Sequence, residues 1–179
     1  MTRKLRVATV SLAGCFGCHM SLLDIDEKLV PLLDLIELDM SPLTDIKVLG
    51  ACDLGIIEGA VCNAENVHTL QAFRAHCKII VAIGACAITG GPPAQRNFID
   101  VRDVLASVYL SGRGVERGFI PNDPELPLPL AQVHPIRDVV KVDYSLPGCP
   151  PSAAAIWQVL TDLIAGRTPH LGHGLLRYD

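Results

Sequence analysis

Lys78-Ile79-Ile80-Val81-Ala82-Ile83-Gly84-Ala85-Cys86-Ala87 is a β-branched apolar run that stops at a glycine, with a cysteine two residues later. After its leading lysine it carries no polar side chain, so it reads as a strand buried on both faces. Strands of that kind occur in parallel sheets connected by helices. The flanking segments agree. Residues 5–12 read as another buried strand led in by charge, 35–40 alternate as a strand, and 54–58 are a further apolar run. Residues 19–33 read as a helix, with Met20, Leu23, Leu29, Leu32 and Leu33 on related faces and Pro31 placed to kink or shorten it. Residues 64–76 and 101–110 are helical and 139–144 alternate again. A last helix at 153–165 is entered through Pro150 and Pro151, with Ser152 as its cap.

This βα alternation predicts an α/β fold with an open, mostly parallel sheet covered by helices. Residues 111–135 break the pattern with Gly112, Gly114, Gly118 and four prolines from Pro121 to Pro129. They are expected to form an irregular excursion, either a partner-facing loop or a tolerated surface insertion. From about residue 166 the chain reads as a tail, docked or disordered. No repeat is present, and a single domain over 1–179 is expected.

Composition narrows the function. The 179 residues are 50% hydrophobic, 19% charged and only 4% aromatic, which implies an aliphatic core with apolar surface left for a partner. A net charge of −4 and the absence of a basic run argue against nucleic-acid binding. The longest uncharged run, 79–95, holds glycines and two prolines, so no membrane span is expected. Arg3, Lys4 and Arg6 before the apolar stretch to Cys15 have the outline of a short lipoprotein signal. Thr9 and Ser11 interrupt that stretch, and a first core strand accounts for it equally well.

Seven cysteines, an odd number, argue against a complete disulfide framework. In a reducing cytoplasm such residues bind metal, catalyse or fill core. Four stand in glycine-containing loops after strands: Cys15 and Cys18 in Ala13-Gly14-Cys15-Phe16-Gly17-Cys18, Cys86 in Gly84-Ala85-Cys86-Ala87, and Cys149 in Pro147-Gly148-Cys149-Pro150-Pro151. In a parallel sheet these loops share one edge, the edge at which such folds bind ligands. Three distant parts of the chain therefore deliver thiolates to one place. Four thiolates are the complement of a [4Fe–4S] cluster, which points to electron transfer, and glycines let backbone amides approach the sulfurs.

Two rivals stay open at this point. A structural zinc site is usually built from two ligand pairs, and one pair is present. A thioredoxin-like redox pair at Cys15 and Cys18 would leave Cys86 and Cys149 unexplained. Cys52 and Cys77 precede strands, so they belong to the core at the opposite sheet edge. Cys62 lies just past the third strand and is the substitute ligand should one of the four be wrong. Glu58 ends an otherwise apolar strand. It reads as a proton relay or hard ligand, or as a strand-end carboxylate bonded to loop amides. His19 reads as a helix-start residue, Trp157 as core or interface, and His134, His170 and His173 show no metal-ligand spacing.

In this order, Ala13-Gly14-Cys15-x-x-Cys18, Ile57-Glu58-Gly59, Gly84-x-Cys86-Ala87 and Pro147-Gly148-Cys149-Pro150-Pro151 resemble the small subunit of [NiFe] hydrogenases. That family shares its cluster domain with the small cluster subunit of respiratory complex I. The resemblance covers most of the chain, from Cys15 to Pro151. It implies a flavodoxin-like, doubly wound, mostly parallel sheet with helices on both faces. It implies one [4Fe–4S] cluster held by Cys15, Cys18, Cys86 and Cys149, and a partner large subunit holding the nickel–iron centre where hydrogen is split.

Complex I relatives usually begin the site with adjacent cysteines. Phe16-Gly17 separates Cys15 from Cys18 here, which favours the hydrogenase branch. Membrane-bound and periplasmic hydrogenases carry a twin-arginine leader and a second cluster domain, whereas this sequence has no twin-arginine motif and no cysteine after Cys149. It is similar to the small subunit of cytoplasmic, bidirectional NAD-reducing hydrogenases, whose hydrogenase pair joins diaphorase subunits carrying FMN and further clusters. The expected role is an electron relay in a cytoplasmic enzyme, with no bond-breaking residue in this chain. A bound FMN has been proposed for that group's small subunit, but no residue here identifies a site for one. Subunits of ferredoxin-, NADP- or deazaflavin-linked hydrogenases, a complex-I-like quinone-linked subunit and a cluster-free FMN carrier are the alternatives.

Overall fold

The run 78–83 lies inside a strand of a five-stranded sheet in the computed structural model, which describes residues 3–178. The sheet contains β1 (Leu5–Ser11), β2 (Ile36–Leu38), β3 (Cys52–Glu58), β5 (Cys77–Ile83) and β7 (Tyr144–Leu146). Its strand order is β2-β1-β3-β5-β7, with every neighbouring pair parallel. A further pair, β4 (Val61–Asn63) and β6 (Pro129–His134), forms a separate antiparallel ribbon. The helices are α1 (Gly17–Leu23), α2 (Leu29–Leu35), α3 (Ala64–His76), α4 (Gly84–Thr89), α5 (Val101–Tyr109) and α6 (Ala153–Ile164).

Successive strand residues point to opposite faces, and both faces are covered. Val7, Leu54, Ile56 and Val81 pack with Leu22, Leu32, Ile156 and Leu160 from α1, α2 and α6. Ala8, Ile57, Ile80 and Ala82 pack with Leu70 and Phe73 from α3 and Ala87 from α4. Burying one large apolar side chain of this kind stabilises the fold by about 1.5–3 kcal/mol. Every residue of β3 is buried, as a central strand covered on both sides must be. The order and the two helical layers make the fold flavodoxin-like, with the ligand edge at the carboxyl ends of the strands.

Several sequence expectations need correction. Residues 19–33 are not one helix. α1 stops at Leu23, a 3-10 turn covers Asp26–Lys28 with Asp26 in the left-handed region (φ 62), and α2 begins at Leu29. Pro31 sits in the first turn of α2, where its missing N–H breaks no helical bond, so the break lies upstream of it. Met20, Leu23 and Leu33 are exposed, while Leu22, Ile25 and Leu32 face the core.

Residues 139–144 do not form a strand either. The carboxylate of Asp143 takes the Ile80 N–H at 2.8 Å, in place of a main-chain carbonyl, and regular pairing runs from Tyr144 to Leu146. Val139, Val140 and Val142 owe their apolar pattern to packing on the α3 side. The excursion 111–135 is not wholly irregular, because its end is β6. Pro129 begins that strand, where no donor is needed. The tail docks through Leu171 and Leu175.

Candidate metal centre

The site is assembled where the strands end. β1 stops at Ser11, and the loop after it is pinned to the loop after β3: Leu12 N–H bonds Glu58 C=O at 2.9 Å and Ala60 N–H bonds Ala13 C=O at 2.7 Å. Cys15 lies in this pinned loop and Cys18 in the first turn of α1. Phe16 takes a left-handed conformation (φ 67) to turn the chain into the helix, and its ring stacks on His19 at 4.7 Å between centroids. Cys86 is not in an open loop, as the glycines around it suggested. It lies in the short helix α4, which follows β5 directly. Cys149 follows β7 in a turn whose residue Gly148 accepts the Ala85 N–H at 2.8 Å. Ser21 of α1 donates to Pro151 C=O at 2.5 Å, so the helix bearing Cys18 is tied to the turn bearing Cys149.

These ties bring the four thiols together. Burial pushes the Cys18 thiol well up, and Glu58, Cys86 and Cys15 act on it in the same direction. Burial likewise raises Cys86, followed by Cys149 and Cys15. Each of the four sulfurs is thus an electrostatic neighbour of at least one other. Thiolates packed this way repel one another, and positive charge placed among them offsets the repulsion. Cys15 and Cys149 are exposed and Cys18 and Cys86 half-buried, so the site opens at the surface. Among the described residues, no three His, Cys, Asp or Glu side chains approach closely enough to share a single ion.

The backbone is shaped to the sulfurs. Gly84 has φ 82, and a Cβ there would collide with Cys18 Sγ. A Cβ on Gly91 would stand 2.9 Å from the Cys86 main-chain nitrogen and 3.0 Å from its sulfur. Cradles that a side chain would fill beside Cys18 and Cys86, in a group of four thiols of distant origin, fit a cluster with thiolate ligands. Cys62 does not join them. Its thiol donates to Asn66 Oδ1 at 3.3 Å, and the charged neighbour acting on it is Arg96. Cys52 and Cys77 are buried register partners at the opposite sheet edge.

Glu58 reaches the site from the last position of β3 and is 2% exposed. Burial works against its ionisation. Hydrogen bonds from His19 and Ser11 outweigh that and hold the carboxyl below its usual range. Ser11 O–H donates to Oε1 at 2.6 Å, and the His19 main-chain N–H donates to Oε2 at 3.1 Å. The His19 ring is fully buried, with Nδ1 3.2 Å from Oε1 but off the line of a well-aligned bond. Among the described residues His19 is the only ion-pair partner of Glu58. The sequence reading missed the inward role of His19, as well as Ser21 and Gly91. Spacing alone does not reveal which face of α1 meets β3. The imidazoles of His134, His170 and His173 take no part in the site, and Trp157 packs at the edge of the α6 core beneath Lys28.

Comparison with known proteins places this geometry. Residues 15–163 match the family described as NADH ubiquinone oxidoreductase, 20 Kd subunit. The NAD-reducing hydrogenase HoxS subunit delta of Cupriavidus necator is 44% identical over 180 residues, covering 98% of this chain and 86% of that protein. A vhu subunit of the F420-non-reducing hydrogenase of Methanocaldococcus jannaschii is 35% identical over 96% of this chain, which spans 60% of that relative's length. A crystal structure of NAD+-reducing [NiFe]-hydrogenase in the H2-reduced state contains a chain that superposes with a TM-score of 0.98 and 57% identity. The match covers 99% of this chain and 100% of that one. The Ni-Fe-Se hydrogenase of Desulfomicrobium baculatum shares the fold, with a TM-score of 0.54 at 18% identity over 97% of this chain and 69% of that one. The thiol-lined edge thus sits on a backbone shared along nearly its whole length, and the chain belongs to the family of the 20 kDa subunit of NADH ubiquinone oxidoreductase.

Proposed function

We propose that this chain is the electron-relay small subunit of an NAD-reducing [NiFe] hydrogenase, acting as one domain that carries a [4Fe–4S] cluster on Cys15, Cys18, Cys86 and Cys149. The observation that carries the reading is the delivery of four thiols from the ends of β1, β5 and β7 to one sheet edge, where Gly84 and Gly91 leave the space that a side chain would take beside Cys18 and Cys86. The names of the relatives support it: two are NAD-reducing hydrogenases, and a relative from Archaeoglobus profundus is an F420-non-reducing hydrogenase iron-sulfur subunit.

A bound cluster supplies one-electron storage and transfer. The chain's own residues do the rest. The four cysteines hold and orient, Gly84 and Gly91 leave room beside the sulfurs, and the Ser21 and Ala85 hydrogen bonds keep the three cysteine-bearing segments in register. The exposed side, at Cys15 and Cys149, is where a large subunit with the nickel–iron centre would exclude water. Diaphorase subunits carrying FMN and further clusters complete the path to NAD, and the proposed assembly is cytoplasmic, where NAD is available. None of the helices among the described residues is long and apolar enough to cross a membrane.

The test is anaerobic purification of the tagged chain from its native host, with nickel and iron measured in what co-purifies. Nickel near one per complex with excess iron is the expected result. Iron without nickel would instead favour a quinone-linked subunit of the complex I kind, the protein for which the family is named. Neither metal would end the cluster argument.

A further inference from the structure

The excursion after α5 shapes an open cavity that the proposed cluster site does not use. Its volume is about 420 Å³, and Ala13, Tyr109, Ile120, Leu126, Pro129 and Arg96 stand on its wall. The 3-10 turn Pro92–Phe98 brings Arg96 there. Asn97 fastens that turn to β6, taking the Val133 N–H at 2.7 Å and giving its side-chain amide to Val133 C=O at 2.8 Å. Arg96 Nη2 donates to Leu130 C=O of the same strand at 2.9 Å. The guanidinium is thus held in place in advance, which lowers the cost of binding to it.

Within the chain this guanidinium has no counter-charge. Among the described residues three arginines are half-buried, Arg6, Arg74 and Arg96. Arg6 lies 3.8 Å from Glu37 and 3.9 Å from Asp39, and Arg74 lies 2.7 Å from Asp143. Arg96 takes part in none of the ion pairs among those residues, and its Nε is buried without a hydrogen-bond partner. Two further polar groups on the wall are engaged elsewhere. Cys62 gives its thiol proton to Asn66, and Asn63 Oδ1 takes the Asn66 N–H as the cap of α3. A cation drawn back from water calls for an anion, and the arginine fork matches a carboxylate with two parallel bonds.

The rim says what kind of molecule brings the anion. Phe98 ends the turn that carries Arg96, Phe119 precedes Ile120, and Leu128 precedes Pro129. These three are 90%, 74% and 69% exposed. A small anion in the cavity would satisfy Arg96 and leave all three in water, whereas a protein surface covers them as well. Ala13 on the wall is two residues from the exposed Cys15, so the cavity adjoins the side at which a large subunit is proposed to sit.

We propose that this cavity is a docking socket for the large subunit, which inserts an aspartate or glutamate side chain from an otherwise apolar segment to pair with Arg96. The identity of the partner rests on the function proposed above, and the chemistry of the inserted group rests on the cavity. The excursion is then partner-facing rather than a tolerated insertion. An arginine ringed by apolar side chains is the kind of residue that carries a large share of the binding energy at an interface.

The experiment measures association in the intact complex, purified anaerobically and followed on dilution, with nickel and iron counted per tagged chain. Arg96→Gln is expected to weaken association about tenfold and Arg96→Glu further, with iron per chain at the native level. Arg113→Glu makes the same charge change on an exposed part of the excursion and should leave association native. A photo-reactive benzoylphenylalanine in place of Phe119 is expected to crosslink to a large-subunit peptide that contains an acidic residue. Exchanging that residue for lysine should restore association of the Arg96→Glu chain. Weakening that this exchange does not reverse marks a structural role for Arg96 and overturns the ion pair. Native association in both Arg96 variants overturns the socket, as does equal weakening in Arg113→Glu, a crosslink to a diaphorase chain, or a crosslinked peptide without an acidic residue. Should Arg96→Glu fail to fold, Arg96→Gln and the crosslink decide. Absence of nickel from the unaltered complex overturns the hydrogenase reading and the partner with it, whereas nickel present alongside native association in the variants overturns the socket alone.

Discussion

The two ends of the central sheet carry the same kinds of residue and put them to opposite uses. At the amino-terminal edge, Cys52 and Cys77 open β3 and β5 as register partners, and Asp53 follows Cys52. Burial raises the two thiols to about 11 and about 12, so both stay protonated at neutral pH. The Asp53 carboxylate is paired with Arg3 at 2.7 Å and Lys78 at 2.9 Å. At the carboxyl-terminal edge, burial also raises Cys18 and Cys86, but the thiols face one another and two more are exposed. Glu58 at the end of the same β3 meets hydroxyl, amide and imidazole donors, with no lysine or arginine ion pair among the described residues.

A raised thiol is therefore common to both ends and marks neither as functional. The difference lies in company. At one end each charge is neutralised by a cation and each sulfur fills core. At the other, negative groups are gathered where a cationic centre fits. Strand direction explains the choice of end. Loops leaving a parallel sheet are free to carry ligands, while the amino-terminal ends enter from packed connections.

The contrast can be broken most directly by moving one cysteine change between the edges. Cys86→Ser or Cys149→Ser is expected to remove most cluster iron and hydrogen-dependent NAD reduction, measured by metal analysis and an NAD assay on the anaerobic complex. Cys77→Ala at the other edge should retain both. Unchanged iron and activity in both serine variants would sink the ligand assignment.

Next in size is Gly84→Ala. The left-handed backbone costs about 1–2 kcal/mol for a residue with a Cβ. The collision with Cys18 adds to that, so iron content per chain should fall although every cysteine remains. Full iron loading in this variant would show that the cradle does not constrain Cys18.

Cys77→Ala sharpens the other side. The Cys77 sulfur fills the space over Gly55, where a Cβ would stand 2.8 Å away. Its removal should cost about 1–2 kcal/mol in urea unfolding, as a small cavity does, with iron unaffected. A loss of iron would mean that the two edges are coupled.

The smallest effect is electrostatic. Asp53 is held at about 2, below its ordinary 3.8, with burial opposing ionisation and bonds from Lys78, the Arg6 main chain and Arg3 outweighing it. Its folded value lies below the unfolded one. The stabilisation is therefore complete above about pH 4 and is lost as the pH falls through about 2. Because Arg3 and Lys78 are largely exposed, solvent screening leaves about 1 kcal/mol. Urea midpoints at pH 4 and pH 2 should show Asp53→Asn losing that part of the pH dependence. An identical pH profile in the variant would show the pairing to be without effect.

Much of this was legible in the chain. The apolar runs at 5–12, 54–58 and 78–83 correspond to β1, β3 and β5, because strands covered by helices on both faces are mostly apolar, with Arg6, Thr9 and Ser11 the polar exceptions in the first run and Glu58 in the second. The assignment of Cys52 and Cys77 to one edge and of Cys15, Cys18, Cys86 and Cys149 to the opposite edge needed only strand direction. Where the reading failed, the deciding partner was distant. Val139, Val140 and Val142 look like strand residues, but Asp143 reaches Ile80 and shifts the pairing to Tyr144. Residues 19–33 look like one helix, but the chain breaks between α1 and α2 so that Leu22 and Leu32 both face the sheet.

By itself, then, the sequence determined the parallel sheet and the edge to which Cys15, Cys18, Cys86 and Cys149 belong, because these depend on local hydrophobic pattern and on which side of a strand a residue falls. Only the tertiary structure decided that Cys62 turns to Asn66, that Cys86 rides on a helix, and that His19 is buried between Thr9 and Glu58. Those outcomes depend on side chains from separate elements meeting in a space too small for water, where each donor must find its acceptor, and such meetings leave no periodic trace along the chain.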